Sequence, residues 1–115
     1  MKSQQAPVKD ASHLYEVEAR AYHLQRPGFR IGELKLSPTQ TVPWHYHNHI
    51  SDTFYVLEGQ MRLFMQNPKQ DLRLGPGESF AVAAGRPHLV TNVGDASLTF
   101  LNLQGIGEYD YVAVV

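Results

Sequence analysis

The feature that most constrains this chain is its punctuation. Short runs rich in Val, Leu, Phe, Tyr and Thr recur about every 8–12 residues, cut apart by Gly, Pro, Asn and Asp. The runs cover residues 14–23, 29–36, 42–47, 53–57, 61–66, 71–74, 79–82, 88–93, 98–103 and 109–115. Between them stand breakers such as Pro27-Gly28, Glu58-Gly59, Asn67-Pro68, Gly75-Pro76-Gly77, Gly85 and Gly94-Asp95. No window keeps an apolar i, i+3, i+4 period over the ~10–12 residues that a helix needs. Nine or ten short strands at this spacing predict an all-β sandwich or barrel. Residues 1–12 are polar, carry Pro7, and are expected to form a flexible N-terminal arm. Residues 13–115 are then one domain.

Composition narrows the function classes. The 115 residues are 43% hydrophobic and 18% charged, ordinary globular values that predict one packed core. Lysine and arginine number 10 against 11 acidic residues, a formal charge of −1, with no basic stripe. Nucleic acid is therefore not an expected partner. Nothing approaches the roughly 18 apolar residues of a spanning helix, and the amino terminus lacks an apolar signal core, so no membrane partner is expected. The chain contains no cysteine, which excludes disulfides, zinc–thiolate and iron–sulfur sites and a thiol nucleophile. That usage fits a cytoplasmic location.

Chemistry concentrates in Trp44-His45-Tyr46-His47-Asn48-His49-Ile50-Ser51-Asp52. Side chains alternate along a strand, so His45 and His47 share a face with bases about 6.5 Å apart. Imidazoles leaning inward from such bases can meet on one cation at roughly 2.1 Å each. Asp52 is the nearest carboxylate downstream, and His88 opens another strand. Taken alone, the His-x-His pair equally describes two half-exposed polar residues on an edge strand.

Two separated motifs resemble those of the cupin superfamily, in particular its small single-domain (cupin 2 type) bacterial members. In the first, His45-x-His47 is followed by four residues, Asp52, six residues and Gly59. In the second, Gly77 is followed by five residues, Ala83-x-Gly85, two residues, His88, three residues and Asn92. Three positions depart from the family pattern. Thr39 stands where a glycine is usual, Ala83 replaces a proline, and Asp52 replaces a glutamate one methylene longer. The resemblance implies a double-stranded β-helix, or jelly-roll, barrel. It also implies a divalent transition metal (Fe, Mn, Ni, Zn or Cu) held by His45, His47, Asp52 and His88; affinity order alone does not choose among these ions. Asp52 either ligates the metal, serves as a catalytic base, or orients an imidazole from outside the ligand set.

Phe54 and Val56 share parity with Asp52, and Val90 and Asn92 share it with His88. Phe54 and Asn92 are therefore expected to line a substrate pocket, with Phe64 added to them. By alternation Trp44 and Tyr46 face away from the metal. His13, His23 and His49 are read as surface residues, and Arg30, Glu33, Arg62 and Arg86 as ordinary surface charges or, alternatively, as anion or proton partners of the site. The expected function is a metal-dependent enzyme on a small oxygenated organic molecule, of dioxygenase, isomerase or lyase class. The alternative is a non-catalytic module that senses a sugar or organic acid. Both terminal runs are long and apolar enough to pair across a homodimer.

Overall fold

A computed structural model of the chain describes residues 5–114, so residues 1–4 of the expected arm and Val115 lie outside it. Ten strands form: β1 (Ala19–Arg26), β2 (Phe29–Leu36), β3 (Thr41–Tyr46), β4 (Ser51–Glu58), β5 (Met61–Met65), β6 (Gln70–Leu74), β7 (Ser79–Val82), β8 (His88–Asn92), β9 (Leu98–Gly105) and β10 (Val112–Ala113). Among the described residues there is no helix. The strands make two five-stranded antiparallel sheets, in the orders β1-β2-β9-β4-β7 and β10-β3-β8-β5-β6.

Alternation explains why these segments are strands and which face they bury. In β5, Met61, Leu63 and Met65 are buried while Arg62 and Phe64 are only partly covered. In β4 the inward row is Asp52, Phe54 and Val56, and in β8 it is His88, Val90 and Asn92. Val56, Leu63, Val90 and Phe100 are wholly buried between the sheets, each contributing roughly 1.5–3 kcal/mol relative to exposure. The inward rows thus begin polar, at Asp52 and His88, and run into apolar core at Phe54, Val56 and Val90. The Glu58-Gly59 turn needs its glycine: φ is +91°, and a Cβ there would lie 2.6 Å from the Ser97 carbonyl oxygen.

Two terminal segments differ from expectation. The strand expected from residue 14 begins at Ala19 instead, because 14–17 turn inward: the Leu14 amide donates to Ala11 O, and Tyr15 and Val17 pack on the core. The run at 109–115 shrinks to β10, and Tyr111 and Val112 are buried. Residues 5–8 cover that run from outside. The Val8 amide donates to Tyr111 O at 2.9 Å, the Tyr111 amide to Val8 O at 2.8 Å, and the Gln5 amide to Ala113 O at 3.0 Å. The carboxyl-terminal run therefore pairs backbone donors and acceptors with residues 5–8 of its own chain rather than leaving them open to another subunit.

Candidate metal centre

The site grows from an irregularity in β3. Val42 pairs with Val90 and His45 with His88, but the register shifts between them. Pro43 cannot donate to a sheet ladder and is tolerated at such a bulge. One extra residue there turns both Val42 and His45 inward despite their odd spacing, and alternation then carries His47 to the same side. His45 faces His88 directly across the two strands, with ring centroids 4.2 Å apart. Asp52 enters from the first inward position of β4 in the opposite sheet.

All four side chains are buried, at 1–2% exposure, and their donor atoms lie within 4.8 Å of one another. Ligands trans across an ion at ~2.1 Å stand about 4.2 Å apart. Shifts of tenths of an ångström would therefore bring the four onto one ion.

The three histidines share one arrangement. His45 Nδ1–H donates to the carbonyl of Pro43 at 2.8 Å, and His88 Nδ1–H to that of Arg86 at 2.9 Å. His47 Nδ1–H donates to the carbonyl of Asp110. In each ring the outward nitrogen carries the proton, so the inward Nε2 of a neutral ring presents a lone pair. His47 Nε2 and His88 Nε2 lie 3.1 and 3.2 Å from the same oxygen of Asp52, Oδ2. Lone pairs facing a carboxylate repel unless a cation, a proton or a metal ion, stands between them.

Electrostatics follows the same logic. Burial, reinforced by the neighbouring rings of His88 and His47, holds His45 well below its ordinary value and keeps it neutral. Burial also opposes charge on His47, but the hydrogen bond and charge of Asp52, with help from Asp110, raise it overall. For Asp52, burial works toward protonation and loses to His47 and His88, which hold the carboxyl far below the usual range. Asp52 Oδ1 is buried with no hydrogen-bond partner. A buried, ionised, half-satisfied carboxylate beside three aligned imidazoles is a donor set that fits a divalent transition metal.

His45, His47 and Asp52 line a small cavity of ≈ 20 Å³. Phe54 lines it as expected, with its ring 5.8 Å from that of His88. The other two expected pocket residues lie elsewhere. Asn92 is buried but spans backbone: Nδ2 donates to Leu36 O (3.1 Å) and Ala96 O (2.8 Å), and Oδ1 accepts from the Gly94 amide (2.9 Å). Phe64 is on the outer face, under the Arg62 guanidinium at 4.6 Å and beside a groove that Trp44 also lines. Its parity is opposite to the buried Met61, Leu63 and Met65. His13, His23 and His49 are exposed. Arg30 and Glu33 both line the cavity, as the alternative reading of these charges has it.

Several cavity residues carried no signal in the motifs. Tyr111 stacks on His45 (4.4 Å, 11° between planes), and Tyr109 lies 5.4 Å from His47. Asp110 Oδ1 and Oδ2 accept from the backbone and side-chain amides of Asn48 at 2.8 and 2.7 Å. Tyr15, Arg20, Asn102 and Gln104 also line the cavity. The Tyr109-Asp110-Tyr111 segment reads as a strand end, and only the closed chain brings it to the histidines.

This geometry defines a small two-sheet β protein with a buried three-histidine, one-carboxylate cluster. A family model described as a cupin domain matches residues 32–104, and the chain belongs to the cupin family. Among proteins of curated function no sequence match was found. Similar solved structures include an uncharacterised conserved protein with a double-stranded β-helix domain from Klebsiella pneumoniae. It is 22% identical with a TM-score of 0.72, covering 84% of this chain and 83% of that one. The cupin domain of Schizosaccharomyces pombe Cnp3 is similar at 17% identity and a TM-score of 0.70, covering 76% and 63%. Lactobacillus farciminis oxalate decarboxylase, solved as a formate complex, is similar at 17% identity and a TM-score of 0.69, covering 75% of this chain and 26% of that one. At these identities the likeness establishes the double-stranded β-helix fold.

Proposed function

We propose that this cupin is a metal-dependent enzyme acting on a small oxygenated organic molecule by dioxygen insertion, isomerisation or lyase chemistry. The observation that carries the reading is the common orientation of His45, His47 and His88. Each gives its Nδ1–H to a backbone carbonyl and turns Nε2 toward Asp52. The carbonyls fix ring rotation and tautomer before any ion arrives, so little ordering remains to be done on binding. A bound transition metal would supply Lewis acidity toward a substrate oxygen.

Asp52 serves as a ligand in this reading rather than as a proton acceptor. A carboxyl held so far below its ordinary range is a weak base near neutral pH. Phe54, Tyr109 and Tyr111 exclude bulk water from the cluster and confine the substrate. The test combines uptake of Fe(II), Mn(II), Ni(II) or Zn(II) with turnover of a panel of small keto and hydroxy compounds. Metal-dependent turnover that disappears in His47→Ala is the expected result. Turnover equal in His47→Ala and the native protein contradicts the reading.

A further inference from the structure

We infer that residues 5–17 form a releasable strap, hinged at Glu18, whose swing away from the barrel is the way in to His45, His47 and His88. That an ion and a substrate use the same route rests on the function proposed above.

A way in is needed because the closed form offers none. The three histidines are 1–2% exposed, and the cavity of ≈ 20 Å³ has room for about one or two waters. On most sides, opening would break a sheet. His45 pairs with His88 across β3 and β8, and Asp52 pairs with Val82 of β7 and Gln104 of β9.

One side is not closed by a ladder. The short 75–78 turn joins β6 to β7, so those two edges adjoin. The edges left to face each other across the opposite side are β1 and β10, and among the described residues no strand pairs with both. Residues 5–17 cross this seam instead. They leave the edge of β10, where Val8 and Tyr111 exchange two main-chain hydrogen bonds and the Gln5 amide donates to Ala113 O, and run to the start of β1. The cluster lies under the crossing. Tyr15 lines the cavity with its ring 6.2 Å from that of Tyr111, and Tyr111 stacks on His45 at 4.4 Å.

The strap is lightly held. Besides those three main-chain bonds, Lys9 pairs with Glu108 at the exposed surface and donates from Nζ to Tyr109 O at 3.2 Å. The main-chain bond described within residues 9–17, from the Leu14 amide to Ala11 O, stays inside the strap. Of residues 5–17, Ala11 is buried, Val8, Tyr15 and Val17 are half-buried, and the rest are exposed. Segments with few buried contacts and exposed hydrogen bonds are the first to open. Glu18, by contrast, is fixed: its amide donates to Lys35 O at 2.8 Å, and its Oε1 accepts from Ser97 Oγ at 2.6 Å. Opening also relieves a cost. Arg20 Nη2 and Tyr111 Oη are buried without a partner, and both residues line the cavity, so entering water meets two unsatisfied groups.

Diethyl pyrocarbonate acylates the imidazoles it can reach. Its rate at each histidine, read by peptide mass spectrometry on metal-free protein, therefore reports opening without any ion. The exposed His13 and His23 are the internal reference. Lys9→Cys together with Glu108→Cys places two thiols in an otherwise cysteine-free chain, and a short bifunctional thiol reagent then ties the strap shut. Linking is expected to slow acylation of His45, His47 and His88 at least tenfold and to leave the reference histidines unchanged. Tyr15→Ala, measured well below its melting transition, is expected to raise the three rates at least tenfold. Equal rates at the three before and after linking overturn the inference. So does native protein in which the three stay unmodified after His13 and His23 have fully reacted. The linked comparison decides alone if Tyr15→Ala folds poorly. Zn(II) uptake slowed at least tenfold by linking supports the shared route, and uptake at an unchanged rate overturns it. If the protein takes up no zinc, the metal reading fails by itself, and acylation still decides the strap.

Discussion

His47 and Asp110 are 63 positions apart in the chain, yet the Nδ1–H of one donates to the main-chain carbonyl of the other. Asn48, next to His47, closes the link by giving both its amides to the Asp110 carboxylate. The carboxyl-terminal segment is thereby tied to the histidine strand at the point where the cluster begins. Asp110→Ala removes the carboxylate that anchors this tie and frees the carbonyl that orients His47. Loss of such an outer partner costs about 10–100-fold in metal affinity. That is the expected loss in a competition titration with a chelator. Asn48→Ala is expected to move affinity in the same direction, because it breaks the other half of the same tie.

Asn92 sits on the same inward row as His88 but serves the backbone instead of the cavity. Asn92→Ala removes the donor to the buried Leu36 carbonyl and to the more exposed Ala96 carbonyl, and a buried partner lost in this way costs about 1–3 kcal/mol. Urea unfolding is expected to show that loss while the metal stoichiometry of the folded variant is unchanged. A variant of native stability that has lost its metal would contradict this division of labour.

The metal-free protein is expected to be most stable near pH 6.5, the ordinary histidine value. His45 has a lowered pKa in the fold, so below pH 6.5 the unfolded chain binds the proton that the folded chain refuses, and stability falls with pH. His47 has a raised pKa, so its stabilisation is complete below pH 6.5 and is lost as pH rises through the folded value. Asp52 adds a further loss only below its ordinary value of 3.8, as the pH approaches its depressed folded pKa. Melting temperatures measured from pH 4 to pH 9 test this. Bound metal replaces the proton between His47 and Asp52, and is expected to abolish the alkaline decline.

A homodimer would pair through an outer strand rather than through the carboxyl-terminal run. The carboxyl-terminal run is covered within the chain, whereas β1 is an outer strand of its sheet with most side chains exposed. Edge pairing through β1 would give a homodimer. Gel filtration is expected to show twice the 13.0 kDa chain mass, and elution at the single-chain mass would remove the dimer.

What could be read from the residues was whatever is local or periodic. Strand positions from Phe29 to Leu103 follow from alternation and turn residues, and the exact bounds of β2 and β7 emerge unaltered. The convergence of His45, His47, Asp52 and His88 was legible because two motifs fixed their spacing. The misreadings have a common physical origin. Asn92 follows from parity, which gives a face but not which end of the barrel a residue occupies or whether backbone claims its polar atoms, and Phe64 lies on the opposite face from the buried Met61, Leu63 and Met65. Arg20, Tyr109 and Tyr111 reach the cavity only through tertiary closure, and a lone arginine or tyrosine gives no sign of this in the sequence. The inward turn at Tyr15 depends on burial by the opposite sheet, which short-range pattern does not record.

The most direct measurement is the metal content of protein purified without added metal and then titrated with Zn(II) or Mn(II), set beside His47→Ala and His88→Ala. One ion per chain in the native protein, with at least a tenfold loss of affinity in either variant, is the expected result. Native protein that takes up no ion, or variants that bind it equally well, would contradict the assignment of these side chains to a metal.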